Sequence, residues 1–345
     1  MEFHKEKDSI SAYGFPKGIA ISEDGGQSWQ ETREDRPLGL VLANGDVLAP
    51  LWKPSEHVDR LEIRKAPVFL KPYSYGNLIN SFFDINDLPE SLRLFYFARQ
   101  ACGAAEWQVE QAQLNIPDAL KIMQSGFIPH SAFWRMRLAP NGDVWGIHYQ
   151  HGWNLSKDDV QFHTLFFRSK NHGRNWDYIS CIPYEPDLEA DPKGALRDGY
   201  AEPDICFLPD GSVYCLMRTT DGNGVGPTFW SKALDDGITW SKPAVFDDLG
   251  VWPTLLHLDC GVTLAVYGRP GLYLRASTDS GGMIWGGRRE IIKPGAALSS
   301  GTCAYAELIA LDDHTALLAY SDFDYPNPNG EPCKTILTRS VEMAL

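Results

Sequence analysis

The sequence predicts an all-β fold, a single β-propeller domain over residues 1–345 built from six four-stranded antiparallel sheets. Two different turns predict it, because each recurs along the chain and the two alternate. The third observation is the lack of competing helical periodicity, with 108–124 as the stretch that allows a short helix. A chain of 345 residues is within the range of one large all-β domain.

The first repeat, the tryptophan turn, has the pattern Ser-x-Asp-x-Gly-x-x-Trp or a close variant. Its Asp or Asn accepts hydrogen bonds from the backbone of its own turn, and its Gly adopts a positive φ. Its Trp packs on apolar surface. The copies are 22–29, 169–176, 235–240 and 279–285, with 102–107 as an eroded fifth copy. Several copies in one chain predict one structural unit used repeatedly.

The second repeat is an Asn-Gly, Asp-Gly or related turn between apolar runs, which is typical of a β-hairpin. Its copies are 42–47, 138–144, 208–213, 258–262 and 311–315. Between copies the order is strand, hairpin turn, strand, long loop, strand, tryptophan turn and strand. We therefore expect five sheets that begin near residues 38, 132, 202, 252 and 304, with residues 1–33 as a partial sixth.

Composition limits the partners of the chain. A formal net charge of −14 argues against nucleic acid, and no apolar run is long enough for a membrane span. Seven Cys without tight spacing favour reduced thiols over disulfides or a zinc site, so neither metal nor cofactor is expected. The polar start predicts a cytoplasmic location, or a secreted one if the N-terminus is trimmed. The oligomeric state is not indicated.

Strands alternate in direction within each predicted sheet, so both kinds of turn lie on one face of the ring. The starts of the first strands and the ends of the second strands meet on the other face, the strand-end face. Its predicted polar residues are Trp52, Lys53, Arg135, Arg137, His148, Tyr149, His151, Tyr200, Glu202, Arg218, Arg269, Tyr305, Glu307 and Asp322. Several Arg in an acidic protein predict a bound anion, most naturally a carboxylate held by two hydrogen bonds. Residues 53–90, the longest connection on this face, are interpreted as a substrate-shaping loop.

The tryptophan turns resemble the Asp-boxes (BNR repeats) of the sialidase, or neuraminidase, superfamily, whose fold is a six-bladed β-propeller. The segments around Glu202, Arg218, Arg269 and Tyr305 are similar to family segments in the same chain order. The resemblance implies that Tyr305 is a nucleophile, that Glu202 is its base and that Arg218 and Arg269 bind a substrate carboxylate. A neutral phenol is not repelled by that carboxylate, but its pKa of about 10 requires a base.

The chain departs from the family pattern at two points. It lacks the Arg-Ile-Pro motif, so Arg135 is the candidate for the third carboxylate-binding Arg. The general acid has no clear counterpart, and the candidates are Asp8, His130 and His148.

The function predicted from these residues is removal of a terminal acidic, sialic-acid-like or polar sugar by an exo-acting, retaining glycoside hydrolase. Its catalytic residues would be Tyr305 and Glu202. The predicted substrate contacts are Arg218, Arg269, Arg135, Tyr200 and His148. One alternative is a propeller lyase that cleaves a uronate-containing glycan by β-elimination, with Tyr200, Arg218 and His130 or His148. The other is a propeller that binds glycans without catalysis.

Overall fold

The computed structural model describes residues 19–22, 24–32, 39–50, 69–72, 79–84, 95–115, 122–124, 133, 135–151, 161–219, 226–295, 297 and 301–344. In these ranges the chain consists of β-strands, turns and one short 3-10 helix, Gly194–Leu196, so the predicted all-β class is confirmed. The short helix allowed at 108–124 is wrong, because β8 (Trp107–Asn115) and β9 (Ile122–Gln124) are strands. Strands on both sides of β8 take up its backbone hydrogen bonds, which a helix would satisfy internally.

The sheets follow one another along the chain. Sheet 1 pairs β1 (Ile19–Ile21) with β2 (Gln30–Thr32). Sheet 2 contains β3 (Leu40–Val41), β4 (Val47–Pro50), β7 (Phe95–Gln100) and β8. Sheet 3 contains β10 (Arg135–Leu138), β11 (Val144–His151), β12 (Phe162–Ser169) and β13 (Asn175–Ile182). Sheets 2 and 3 join where β13 pairs with β8 in parallel.

Three more sheets complete the C-terminal half. Sheet 4 contains β14 (Ala201–Phe207), β15 (Val213–Arg218), β16 (Thr228–Ala233) and β17 (Ala244–Asp247). Sheet 5 contains β18 (Thr254–His257), β19 (Thr263–Gly268), β20 (Leu272–Ser277) and β21 (Arg289–Ile292). Sheet 6 contains β22 (Ala306–Ala310), β23 (Thr315–Pro326) and β24 (Pro332–Glu342).

Part of the predicted substrate-shaping loop is itself β-structure. Strands β5 (Phe69–Pro72) and β6 (Ile79–Asp84) fall within 53–90 and pair with β9 in a separate three-stranded sheet. The other residues of 53–90, together with Trp52, lie outside the described ranges.

The hairpin turns have the predicted geometry. Gly45, Gly142, Gly211 and Gly261 each donate a 2.9 Å hydrogen bond to the carbonyl three residues earlier, with φ between 82° and 89°. That conformation favours Gly over other residues, which explains why these turns recur with Gly at the same position.

The tryptophan turns share one hydrogen-bond scheme. The carboxylate or amide oxygen near the start of each turn accepts from the backbone N–H four residues later. These bonds join Asp24 to Ser28, Asn171 to Asn175, Asp235 to Thr239 and Asp279 to Met283. The indole N–H of Trp29, Trp176 and Trp285 donates to the Gly carbonyl of its own turn, at 2.7–3.1 Å. The Trp240 indole donates instead to Ser180 Oγ, at 2.9 Å.

The tryptophan turns also connect neighbouring sheets. In four of the turns, the Gly lies against a side chain on the second strand of another sheet. These contacts join Gly173 to Leu48, Gly237 to Trp145, Gly282 to Tyr214 and Gly26 to Leu317. Because Gly26 lies on sheet 6 in the way that Gly237 lies on sheet 3, the N-terminal turn packs against the C-terminal sheet.

The core lies between adjacent sheets. Trp145 and Ile147 of β11 pack with Ile205 and Val213 of sheet 4, and similar clusters join sheets 2 and 3, 4 and 5, and 5 and 6. On the inner side, β14 lies beside β18 and β18 beside β22. The first strands of sheets 4, 5 and 6 are therefore neighbours, which brings their N-terminal ends close together.

Candidate active site

Glu202, Arg218, Arg269 and Tyr305, which are far apart in sequence, come together at the strand ends of sheets 4, 5 and 6. Arg218 Nη1 donates to Glu202 Oε1 at 2.6 Å, and both side chains are buried. The Arg269 guanidinium lies 5.5 Å from the Tyr305 ring centroid. It also donates from Nη2 to the Cys303 carbonyl at 2.8 Å. The residues that the sequence predicts as nucleophile, base and carboxylate-binding Arg thus form one group.

A β-bulge directs Glu202 toward Arg218. The register between β14 and β15 shifts between Ala201 and Asp204, and Glu202 has a φ of 49°. Ala201 pairs with Arg218, so the residue that follows it lies at the end of the second strand. Bulges commonly redirect a side chain at functional sites.

Backbone strain is concentrated in this group and in the residues beside it. Glu202, Trp252, Arg269 and Ala304 all have φ between 49° and 63°, a region that costs a residue with a side chain about 1–3 kcal/mol. The other non-glycine residues with positive φ in the described ranges, His172 and Asp236, belong to tryptophan turns. Strain of this kind persists where the surroundings fix the backbone, and it clusters at functional sites.

Tyr305 is half-buried, and its pKa is raised above its usual value. Burial is the main cause, and the charge of Glu202 adds to it, while Arg269 and Arg218 act in the opposite direction. The phenol is therefore neutral at ordinary pH. Glu202 is the carboxylate whose charge contributes to the raised pKa of Tyr305.

Both carboxylate oxygens of Glu202 are occupied. Oε1 accepts from Arg218, and Oε2 accepts from the Trp252 backbone N–H at 3.0 Å. A ligand carboxylate that binds Arg218 competes for the first of these bonds.

A second set of charged side chains lies on the first strands of sheets 3, 4 and 6. Arg135 Nη1 donates to both oxygens of Glu307 at 2.8 and 3.0 Å, and its Nη2 donates to Thr254 Oγ1 at 2.9 Å. Arg137 binds both oxygens of Asp204, which is fully buried, at 2.9 and 2.6 Å. Burial lowers the pKa of Arg137, but the charges of Asp204 and Glu307 outweigh it and raise the pKa above its usual value.

Arg135 belongs to this second set of charged side chains, the Arg135–Glu307 network, together with Arg137 and Asp204. Its guanidinium donates hydrogen bonds to Glu307 and Thr254. It also lies 5.6 Å from the ring centroid of Trp252, whose backbone N–H binds Glu202. The sequence predicts Arg135 as a third Arg for a substrate carboxylate, whereas in the structure its guanidinium already binds the carboxylate of Glu307.

Tyr200 lies in the core and not beside Glu202. It is 1% exposed and packs against Tyr184 and Phe229. Burial raises its pKa, as do Tyr184 and carboxylates of the preceding loop. Neighbouring strand residues point to opposite sides, so Tyr200 and Glu202 would share a side in a regular strand, and the bulge separates them.

His148 is buried, with no hydrogen-bond partner for Nδ1 among the residues that the structure places. Burial lowers its pKa to about 4, so its imidazole is neutral at ordinary pH. The side chain of His151 is not described, and Asp8, Lys53 and His130 lie outside the described residues.

Three residues of the site were missed from the sequence: Trp252, Asp204 and Thr254. Asp204 follows Glu202 by two positions on a predicted first strand, and Thr254 begins the next first strand. Strand order and side-chain alternation could therefore have placed both residues near the site. Trp252 precedes β18 much as Tyr305 precedes β22.

Over the described ranges, no cluster of His, Cys, Asp and Glu has the arrangement of a metal site. The same part of the chain contains no helix of the length and hydropathy that a membrane span needs.

No protein-family model matches the sequence, and neither does any curated protein sequence. Among solved structures, a protein of unknown function from Dyadobacter fermentans DSM 18053 has a TM-score of 0.62 at 16% identity, covering 95% of this chain and 84% of that one. The K499G mutant of NanB sialidase from Streptococcus pneumoniae has a TM-score of 0.46 at 15% identity, covering 72% and 36%. A Penicillium chrysogenum α-L-arabinanase has a TM-score of 0.41 at 17% identity, covering 62% of each chain. The first likeness shows a shared fold alone, and the other two are too low to argue from.

Proposed function

We propose that this chain is an exo-acting, retaining glycoside hydrolase of the sialidase type that removes a terminal acidic, sialic-acid-like or polar sugar. The observation that carries the proposal is the group of Glu202, Arg218, Arg269 and Tyr305, which joins a phenol, a carboxylate and two guanidinium groups at one set of strand ends. A guanidinium pair beside a phenol suits a substrate whose reacting carbon carries a carboxylate.

In the proposed reaction, Tyr305 Oη attacks the anomeric carbon as the bond to the leaving oxygen breaks, and Glu202 accepts the phenol proton. The substrate carboxylate displaces Glu202 Oε1 from Arg218, which frees this oxygen to act as the base. Water then attacks the same carbon and gives a proton to the conjugate base of the acid that protonated the leaving oxygen, while Tyr305 leaves with its own proton returned by Glu202. Two inversions give net retention.

The leaving oxygen needs a proton from an acid. His148 is unsuited to this role at neutral pH, because its lowered pKa keeps it unprotonated. Of the sequence candidates, Asp8 and His130 remain, and both lie outside the described residues.

We further propose that the fold is a six-bladed propeller, with sheets 1 to 6 as its blades. The contact of Gly26 with Leu317 supports closure of the ring, since it repeats the contact made between sheets 2 and 3, 3 and 4, and 4 and 5. The bond from Arg135 to Glu307 joins the first strands of sheets 3 and 6, which would face each other across a six-bladed ring.

The lyase alternative loses one of its members in this structure. Tyr200, one of the residues named for it, packs in the core against Tyr184 and Phe229. The hydrolase is therefore the better-supported reading.

The test is release of a fluorogenic group from an α-ketoside of N-acetylneuraminic acid. We expect turnover by the native chain and a loss of at least about a hundredfold in Tyr305→Phe, the size typical of a lost catalytic group. Tyr178→Phe, on the outer strand β13, is the matched control and should keep full activity. Failure of the native chain on this ketoside would contradict a sialic-acid substrate, and full activity in Tyr305→Phe would contradict Tyr305 as the nucleophile.

A further inference from the structure

Trp252 contacts three functional side chains at once. Its backbone N–H donates to Glu202 Oε2 at 3.0 Å. Its ring centroid lies 4.4 Å from that of Tyr305, at an interplanar angle of 48°. The Arg135 guanidinium lies 5.6 Å from the same ring. One residue therefore contacts the predicted base, the predicted nucleophile and the Arg135–Glu307 network.

The backbone of Trp252 is held in an unfavourable conformation. Its φ is 53°, which large side chains adopt rarely, and it lies in the connection between β17 and β18. This conformation directs the N–H to Glu202 while the ring contacts that of Tyr305 at a tilt.

We propose that Trp252 is the positioning residue of this site, with its backbone fixing Glu202 and its indole fixing the Tyr305 phenol and shielding it from water. The proposal rests on the proposed function where it calls Tyr305 a nucleophile, but the contacts themselves do not. Tyr305 cannot swing toward Trp252 while the indole is there, and Arg135 holds the indole by a cation–π contact.

Two variants separate the ring from the backbone. Trp252→Gly removes the indole but suits a positive φ, so the N–H to Glu202 is retained. Trp252→Asn does the same with a small side chain that tolerates this region, and it is the second variant if the first does not fold. Trp252→Phe keeps an aromatic ring against Tyr305. Trp230→Ala is the matched control, since Trp230 stacks on Tyr214 outside the group.

The first experiment follows tyrosine ionisation by NMR of ¹³C-labelled phenol carbons, with the Tyr305 signal assigned by its loss in Tyr305→Phe. Burial is the main cause of the raised pKa of Tyr305, so removal of the indole should lower that pKa toward its usual value of about 10. In Trp252→Phe and Trp230→Ala, the pKa of Tyr305 should stay as high as in the native chain. An unchanged Tyr305 titration in Trp252→Gly and Trp252→Asn would overturn the proposal.

The second experiment uses the ketoside assay. Misplacement of a reacting group by about 1 Å costs up to about a hundredfold, so we expect kcat to fall about tenfold or more in Trp252→Gly, with KM changing far less. Trp252→Phe should restore most of kcat. A rise in KM with unchanged kcat would overturn the positioning role. If the native chain does not turn over the ketoside, the proposed function fails, and the titration alone decides the role of Trp252.

Discussion

The tryptophan turns and the Glu202–Tyr305 group obey opposite rules. In a turn, the Asp or Asn side chain accepts from backbone N–H groups at most four positions away, as Asp24 does from Gln27 and Ser28. In the site, Glu202 accepts from Arg218 on the neighbouring strand and from Trp252 in the connection between β17 and β18. The turns recur, whereas each site residue occurs once. Repeated local hydrogen bonds therefore build the sheets and their turns, whereas single long-range contacts build the site.

The largest effect should come from Glu202→Gln. Loss of the base should lower kcat by about a hundredfold to ten-thousandfold in the ketoside assay. Arg218 would remain buried beside a neutral amide, so the free energy of unfolding should also fall. Glu110→Gln removes a carboxylate partner of Arg99 on sheet 2 and should leave activity unchanged. Equal losses of activity in the two variants would show that Glu202 supports activity only through the fold, as Glu110 would.

The next effect separates two copies of the same turn. Trp176 is fully buried, whereas Trp29 is 43% exposed. Trp176→Ala should cost about 3–5 kcal/mol in urea unfolding, because it leaves a cavity against Phe97 and Phe133. Trp29→Ala should cost far less. Comparable losses would show that the turn itself, and not its packing, carries the stability.

A smaller effect should depend on pH. His148 has a pKa of about 4 in the folded chain and about 6.5 when unfolded, so the unfolded state binds its proton first as the pH falls. This residue should therefore cost about 2 kcal/mol of stability between about pH 7 and pH 5. His148→Leu should remove that part of the pH dependence of urea unfolding. An unchanged slope would mean that His148 is protonated without penalty in the folded chain.

The turns could be predicted because their chemistry is contained in a few consecutive residues. Strand order places Glu202, Arg218, Arg269 and Tyr305 on one face, the family resemblance singles them out, and the structure brings these four together. Arg135 and Tyr200 show where such reasoning ends. The partner of Arg135, Glu307, lies on a strand near the other end of the chain, and no local pattern indicates it. The orientation of Tyr200 depends on a bulge that the sequence does not reveal.

The most direct test of the account is to identify the residue that becomes covalently linked to substrate. A fluorinated analogue of the acidic ketoside, whose glycosyl-enzyme intermediate hydrolyses slowly, would be incubated with the native chain, and its peptides would be analysed by mass spectrometry. We expect one adduct, on the peptide that contains Tyr305, and none in Tyr305→Phe. An adduct on another residue, or none while the ketoside is turned over, would contradict the assignment of Tyr305 as the nucleophile.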